Sequence, residues 1–260
     1  MSLQILQWNA CSLTSRRHEL QQLLSTKQYD IVCVQETFLQ PGKKCCLNGY
    51  DCIRQDRTDS QRGGIATLIK NCIKFTELRK PADMKCQAVN IKTSAGSIRV
   101  INVYIPPGND ISRPSMNDLF LHRRNAIIVG DMNAKSPLWG SDTYDTRGRD
   151  LDDAINAHKY VVLNTGQGTH QTSTGLMTAI DVSLASRQLA SKCSWAALNN
   201  TLGSDHVPIV ITVNARVDRQ LATTPKWKLS KADWNTFREI LTKSWQKAVL
   251  IRRITTILTD

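Results

Sequence analysis

Asn125 to Asn133 reads NAIIVGDMN, four apolar residues and a glycine that run into an acid and an amide. A continuous apolar run of this length, closed abruptly by polar residues, fits a strand buried on both faces. An acid at its mouth then needs a partner, because an unpaired buried charge is costly. The same pattern recurs outward along the chain. LQILQWN ends in Asn9, DIVCVQE in Glu36, and SIRVINVYIPP in Tyr104 before the double proline Pro106–Pro107; AIDVSLAS enters through Asp181, and SDHVPIVITV through Asp205 and His206. Taken singly, each such residue is an ordinary turn or cap. Repeated at strand ends, they point to a layered α/β fold that gathers its ligand groups along one sheet edge.

The rest of the chain up to Val213 alternates in the same way. GGIATLIK, KCQAVNIKT and VVLN read as further strands, and RGRDLDDAINAH as a helix. Thr14 is the expected cap of a helix through SRRHELQQLLS, with Leu20, Leu23 and Leu24 on one face. After Val213 the texture changes. Residues 214–229 are polar and proline-punctuated, as in a linker. Residues 230–260 read as a basic amphipathic helical tail with a Ser230–Asp233 capping box and Trp234, Phe237, Leu241, Trp245 and Val249 near helical spacing.

The net charge is +12, and Asn214 to Asp260 alone holds ten Lys or Arg against four Asp or Glu. Half the excess therefore sits in under a fifth of the chain, which suggests a polyanionic partner. The apolar runs are too short to span a bilayer, so no membrane partner is expected. MSLQILQWN lacks the basic flank and long apolar stretch of a signal peptide. The eight cysteines show neither a CxxC pair nor zinc-type spacing with histidine. Together these features lead to the expectation of an intracellular protein.

The strand-end residues suit hydrolysis of a phosphodiester, which needs a nucleophilic water, stabilisation of phosphoryl charge and help for the leaving oxygen. Glu36 is a hard oxygen ligand of the kind Mg²⁺ prefers. Asp131 is a candidate base for the water. Asn133, two residues on, falls on the same side if strand geometry persists, to hold that water or a phosphate oxygen. His206 can donate to a phosphate oxygen, and a buried carboxylate such as Asp181 would fix its tautomer and raise its pKa.

The motifs WNA (Trp8–Ala10), VQET (Val34–Thr37), VYIPP (Val103–Pro107), VGDMNA (Val129–Ala134), AID (Ala179–Asp181) and SDH (Ser204–His206) occur in an order that resembles the exonuclease III/DNase I-like, apurinic-endonuclease-like superfamily. GDMNAKSPLWGS turns the resemblance toward the endonuclease domain of non-LTR retrotransposons. The resemblance runs from about Leu3 to Val213. It implies a DNase I-like four-layer α/β sandwich, two packed mixed β-sheets flanked by helices, over residues 1–213.

It also implies a Mg²⁺-dependent endonuclease, with Mn²⁺ as a substitute, that nicks double-stranded DNA to expose a 3′-OH primer for target-primed reverse transcription. Asn9 becomes a phosphate or metal-shell ligand, Tyr104 a hydroxyl near the leaving group, and Asp205 a neighbour of the metal alongside Glu36. Thr169, Thr178 and Ser204 are expected at the DNA-binding surface. No Tyr-x-Asp-Asp motif occurs, so the partner would be a reverse transcriptase domain of the same polyprotein, toward which the tail leads. The expected place of action is the nucleus.

Cys11 departs from the repair branch, which carries an acid two positions after the residue matching Asn9; a single, more loosely held Mg²⁺ is the consequence. Two alternatives remain, an abasic-site repair endonuclease and a catalytically silent nucleic-acid-binding module. The latter would show substitutions among Glu36, Asp131, Asn133, Asp181 and His206, and none is present.

Overall fold

Strand β1 (Ser2–Asn9) alternates by the period of two that a pleated strand imposes. Leu3 and Ile5 turn to one face and Leu6 and Trp8 to the other, and both sets are buried. In the computed structural model, which describes residues 2–43, 45, 47–57, 62–78, 84–108, 112–121, 124–220, 230 and 233–243, this double burial comes from two stacked sheets.

The first sheet contains β1, β2 (Ile31–Gln35), β3 (Tyr50–Gln55), β4 (Ile65–Lys70), β13 (Cys193–Ala197) and β14 (Ile209–Arg216), in the order β13-β14-β1-β2-β4-β3. The second contains β5 (Phe75–Leu78), β6 (Lys85–Thr93), β7 (Gly96–Tyr104), β8 (Ala126–Asp131), β9 (Tyr160–Val162) and β12 (Asp181–Ser186), in the order β5-β6-β7-β8-β12-β9. Each sheet is mixed: β1–β2 and β7–β8 are parallel and the remaining pairs antiparallel.

Three apolar clusters separate four layers. Ile5, Ile31, Val100, Ile127 and Ile211 meet between the sheets. Helix α1 (Arg17–Thr26) covers the first sheet through Leu20 and Leu24. Helices α2 (Arg113–Phe120) and α3 (Thr146–His158) cover the second through Met116, Phe120, Leu151 and Ile155. Each such fully buried aliphatic side chain contributes roughly 1.5–3 kcal/mol. The expected four-layer sandwich is the fold observed.

The period-two pattern also positions the site. Along the face turned between the sheets, each central strand passes from apolar to polar in the same direction across the molecule: Ile5, then Gln7 and Asn9 on β1; Cys33, then Gln35 on β2; Val100, then Asn102 and Tyr104 on β7; Val129, then Asp131 on β8. Gly130 permits this on β8, since a Cβ there would lie 1.8 Å from the Val103 carbonyl oxygen. In-register pairing then sets Tyr104, Asp131 and Asp181 side by side on three neighbouring strands.

Several expectations shift. Residue Arg16, not Thr14, stands at the N-cap of α1, and no side chain caps that helix. Arg16 is instead drawn to the Gly203 carbonyl (2.7 Å) and the Cys11 carbonyl. A hairpin of β10 (His170–Gln171) and β11 (Met177–Thr178) stands where no strand was expected. The expected boundary at Val213 falls inside β14, and the first compact unit continues to Gln220. Val217 bridges Thr93, and Arg219 reaches Asp30 at 2.7 Å, so polar composition alone misjudged residues still tied to the sheets.

In the second unit, 234–243 is helical. Asp233 rather than Ser230 caps it, accepting from the backbone N–H groups of Asn235 and Thr236 at 3.1 and 3.0 Å. Trp234, Phe237 and Leu241 are exposed on that unit, and Trp245 and Val249 lie outside the described residues. Among the described residues no helix is long and apolar enough to cross a membrane.

Candidate active site

Asp131 is the hub of the site. It is 1 % exposed, and its Oδ2 accepts from Asn9 Nδ2 at 2.8 Å and Asn133 Nδ2 at 3.1 Å, while Oδ1 accepts the Asn133 backbone N–H at 3.0 Å. Strand geometry does not persist to Asn133, whose φ is +45°. A left-handed turn, tolerated by asparagine, brings its side chain back onto Asp131 and the Ile105 carbonyl. Burial, followed by the negative charge of Asp181 across the strand pair, pushes the Asp131 carboxyl up to about 7. That value suits a base working near neutral pH.

Asp181 goes the other way. Burial opposes its ionisation, yet the His206 charge and hydrogen bonds from His206, Thr169 and Gln7 together hold it below the usual carboxylate range. His206 Nδ1 lies 2.8 Å from Asp181 Oδ2, and its Nε2 is 4.0 Å from Asp131 Oδ2. For His206, burial disfavours the charge but Asp181 outweighs it, so the imidazole is pushed up to about 9. Two carboxylates on paired strands thus have opposite shifts, the pattern by which a base and an ionised partner are told apart.

Glu36 follows β2 in a left-handed conformation (φ +49°). Its Oε1 accepts from the Tyr104 hydroxyl at 2.9 Å and from Asn9 Nδ2 at 3.3 Å. Asp205 stands at the rim with a half-exposed carboxylate, Oδ1 of which accepts from Ser204 Oγ at 3.2 Å. Ser204 Oγ donates to the Asn9 carbonyl at 2.8 Å and accepts the His206 N–H at 3.2 Å, tying the SDH turn to the end of β1. Cys11, Ser12, Glu36 and Asn133 all have positive φ around this centre; such backbone strain gathers at functional sites.

The donor set fits a hard divalent cation. Glu36 and Asp205 offer carboxylate oxygens, the ligands Mg²⁺ takes, and both act on the Cys11 thiol, whose pKa is raised by burial first and then by these two charges. The cluster of His170, Asp205 and His206, with ligand atoms within 4.8 Å of one another, adds nitrogen donors that suit softer ions. Asn9 Oδ1 accepts the Cys11 N–H at 3.0 Å with one lone pair left over, and its amide donates to the carboxylates of Glu36 and Asp131.

The structure therefore gathers Asn9, Glu36, Tyr104, Asp131, Asn133, Asp181, Asp205 and His206 at one edge of the sandwich. The expected DNA-facing residues divide. Thr169 is fully buried and donates to Asp181 Oδ2 at 2.7 Å, so it supports the site from within. Thr178 meets His170 Nδ1 at 3.1 Å on the hairpin. Sequence reasoning missed His170, whose ring centroid lies 4.6 Å from that of His206. It also missed Arg147, which donates to the Met132, Asn133 and Pro106 carbonyls and braces the turn after Asp131. Gln7, Gln35 and Asn102 were missed as well, though the alternation in LQILQWN put Gln7 on the face of Ile5 and Asn9.

Residues 98–210 match the family model described as "Endonuclease-reverse transcriptase". The RNA-directed DNA polymerase from mobile element jockey of Drosophila melanogaster is 30% identical over 220 residues, 82% of this chain and 24% of that protein. Its counterpart from Drosophila funebris is 26% identical over 80% of this chain and 23% of that protein. The chain thus spans about a quarter of the length of the curated relatives it matches. Among solved structures, the endonuclease domain of TRAS1, a telomere-specific non-LTR retrotransposon, superposes with a TM-score of 0.69 at 20% identity, covering 82% of this chain and 98% of that one. The AP endonuclease LMAP from Leishmania major gives 0.70 at 14% identity, over 84% and 88%. These likenesses are ones of fold.

Proposed function

We propose, from the match of residues 98–210 to the endonuclease-reverse transcriptase family model and from a fold shared with retrotransposon and abasic-site endonucleases, that the chain is a metal-dependent endonuclease that nicks intact double-stranded DNA. The product would be a 3′-OH able to prime reverse transcription by a polymerase domain of the same polyprotein, acting on chromosomal DNA in the nucleus. One observation carries the reading: Asp131, held by Asn9 and Asn133, and His206, clamped by Asp181, face each other across 4.0 Å at one sheet edge.

Asp131 orients a water and takes its proton, while Asn9 and Asn133 hold the carboxylate in position. His206, clamped through Nδ1 by Asp181, presents Nε2 to a non-bridging phosphate oxygen and meets the charge that grows there. The Tyr104 hydroxyl, already donating to Glu36, lies within the same network to steady the leaving side. Mg²⁺ held by Glu36 and Asp205, or Mn²⁺ in its place, supplies Lewis-acid neutralisation of the phosphate when bound.

Conversion of supercoiled plasmid to open circle tests the proposal. Nicking is expected in Mg²⁺ and is expected to stop with excess EDTA; cutting that persists undiminished in EDTA, or no cutting in any divalent cation, contradicts it. A second measurement concerns charge. A chain ending after Gln220 keeps every site residue and the whole first unit. It is expected to nick at an unchanged maximal rate but to bind DNA more weakly and with a shallower salt dependence, since phosphate contacts set that slope. A folded but inert truncation would place part of the site in the tail.

A further inference from the structure

Beneath the site the inter-sheet face holds a line of polar side chains in a row where cores are otherwise apolar. Gln7 is fully buried. Its Nε2 donates to Asp181 Oδ1 at 2.9 Å and to Gln35 Oε1 at 2.8 Å. Gln35 Nε2 donates to Asn102 Oδ1 at 2.7 Å, Asn102 Nδ2 to Thr67 Oγ1 at 3.1 Å, and Thr67 Oγ1 to Gln87 Oε1 at 2.8 Å. Every link from Gln7 onward donates in the same direction, away from Asp181. Gln7 can therefore offer Asp181 only an N–H, because turning its amide over would set Oε1 against both the carboxylate and Gln35 Oε1. The orientation is kept although Gln7 Oε1 is buried with no hydrogen-bond partner, which costs stability. Burying a polar chain with one atom unsatisfied calls for a compensating use.

Asp181 shows what that use is. Oδ1 accepts from Gln7, while Oδ2 accepts from Thr169 at 2.7 Å and from His206 Nδ1 at 2.8 Å. A donor on each oxygen fixes the carboxylate plane, and the plane fixes the His206 ring. We propose that Gln7 is a positioning residue for phosphodiester cleavage: held by Gln35 between the sheets, it fixes Asp181, and through Asp181 it aims His206 Nε2 into the site. This rests on the endonuclease reading above for its effect on rate, but the ring orientation is measurable without any substrate.

The test uses the full chain with three substitutions. Gln7→Met keeps length and burial but removes the donor. Gln7→Leu also removes the donor at similar volume, and stands in should Gln7→Met fail to fold. Thr67→Val breaks the polar chain at its far end and leaves Gln7, Asp181 and His206 joined. Both Gln7 variants are expected to lower kcat for plasmid nicking by tens-fold with KM within about twofold, following the split for a group acting only on the transition state. They should also move the ¹⁵N signals of the His206 ring at fixed pH.

Thr67→Val is expected to lower Tm while leaving kcat and those signals unchanged. The proposal is overturned if Gln7→Met and Gln7→Leu fold with kcat within twofold of the parent and unmoved ring signals. It is equally overturned if Thr67→Val lowers kcat as much as they do, which would mark the whole chain as structural only. Ring signals that move in a protein that never nicks would uphold the positioning and reject the endonuclease reading instead.

Discussion

Asp131→Asn is expected to lower the rate of plasmid nicking by roughly a thousandfold or more, toward the upper end of the 10²–10⁴ range for loss of a general base. The amide keeps the shape of the carboxyl but cannot accept a proton from water. Asn9 Nδ2 and Asn133 Nδ2 donate to one carboxyl oxygen and the Asn133 N–H to the other, so the amide N–H₂ meets a donor either way and some Tm is lost. Asp131 has its carboxyl raised to about 7, above the ordinary 3.8, by burial and the Asp181 charge. A raised acid binds protons more tightly folded than unfolded, so its ionisation costs stability as pH rises from about 4 through 7. Removing that ionisation should make the Tm deficit of the metal-free variant smaller at pH 8 than at pH 4. A deficit that does not narrow over that range would contradict the raised carboxyl.

His206→Ala carries the second large effect. Without the imidazolium the phosphoryl charge loses its donor, and removal of one such donor costs about 10²–10³ in kcat. Here stability and activity fall together, because Asp181 is left fully buried with its main counter-charge gone. Breaking a buried pair by removing one partner destabilises by about 3–5 kcal/mol. Single-turnover rates corrected for the folded fraction separate the two losses. A corrected rate within tenfold of the parent would remove His206 from the chemistry.

Both variants change residues that the sequence made legible. Asp131, Asp181, Glu36 and His206 could be read because each ends or opens an apolar strand, where an acid or imidazole has no packing reason to be. Asn133 was placed correctly for the wrong reason: a left-handed turn, not strand alternation, returns its amide to Asp131. Thr169 was misjudged because a threonine at a strand end looks the same whether it faces solvent or a buried carboxylate. Asn9 was read for its oxygen alone, whereas its amide N–H groups also tie Glu36 to Asp131.

The fold was legible to a similar depth. Strands with an unbroken apolar run announced themselves, whereas β3, β5 and β13, partly exposed edge elements, did not. The domain edge at Val213 was drawn on composition, yet Arg219 pairs with the buried Asp30, an interaction no local pattern encodes. The helix cap at Thr14 failed for a related reason, since the long-range bond from Arg16 to Gly203 decides how the chain enters α1.

The central claim is that this site cuts undamaged duplex. A repair enzyme gains its rate by capturing an extrahelical abasic sugar and cuts intact DNA poorly, whereas a retrotransposon nuclease reads deformable steps and groove shape in normal DNA. The direct measurement is the pair of initial rates, in Mg²⁺, on a preferred intact sequence and on a matched duplex carrying one abasic analogue, with Asp131→Asn as the inactive reference. The account predicts that the intact duplex is cut at least as fast as the abasic one. A preference for the abasic duplex of about a hundredfold or more, near 3 kcal/mol in the barrier, would contradict it.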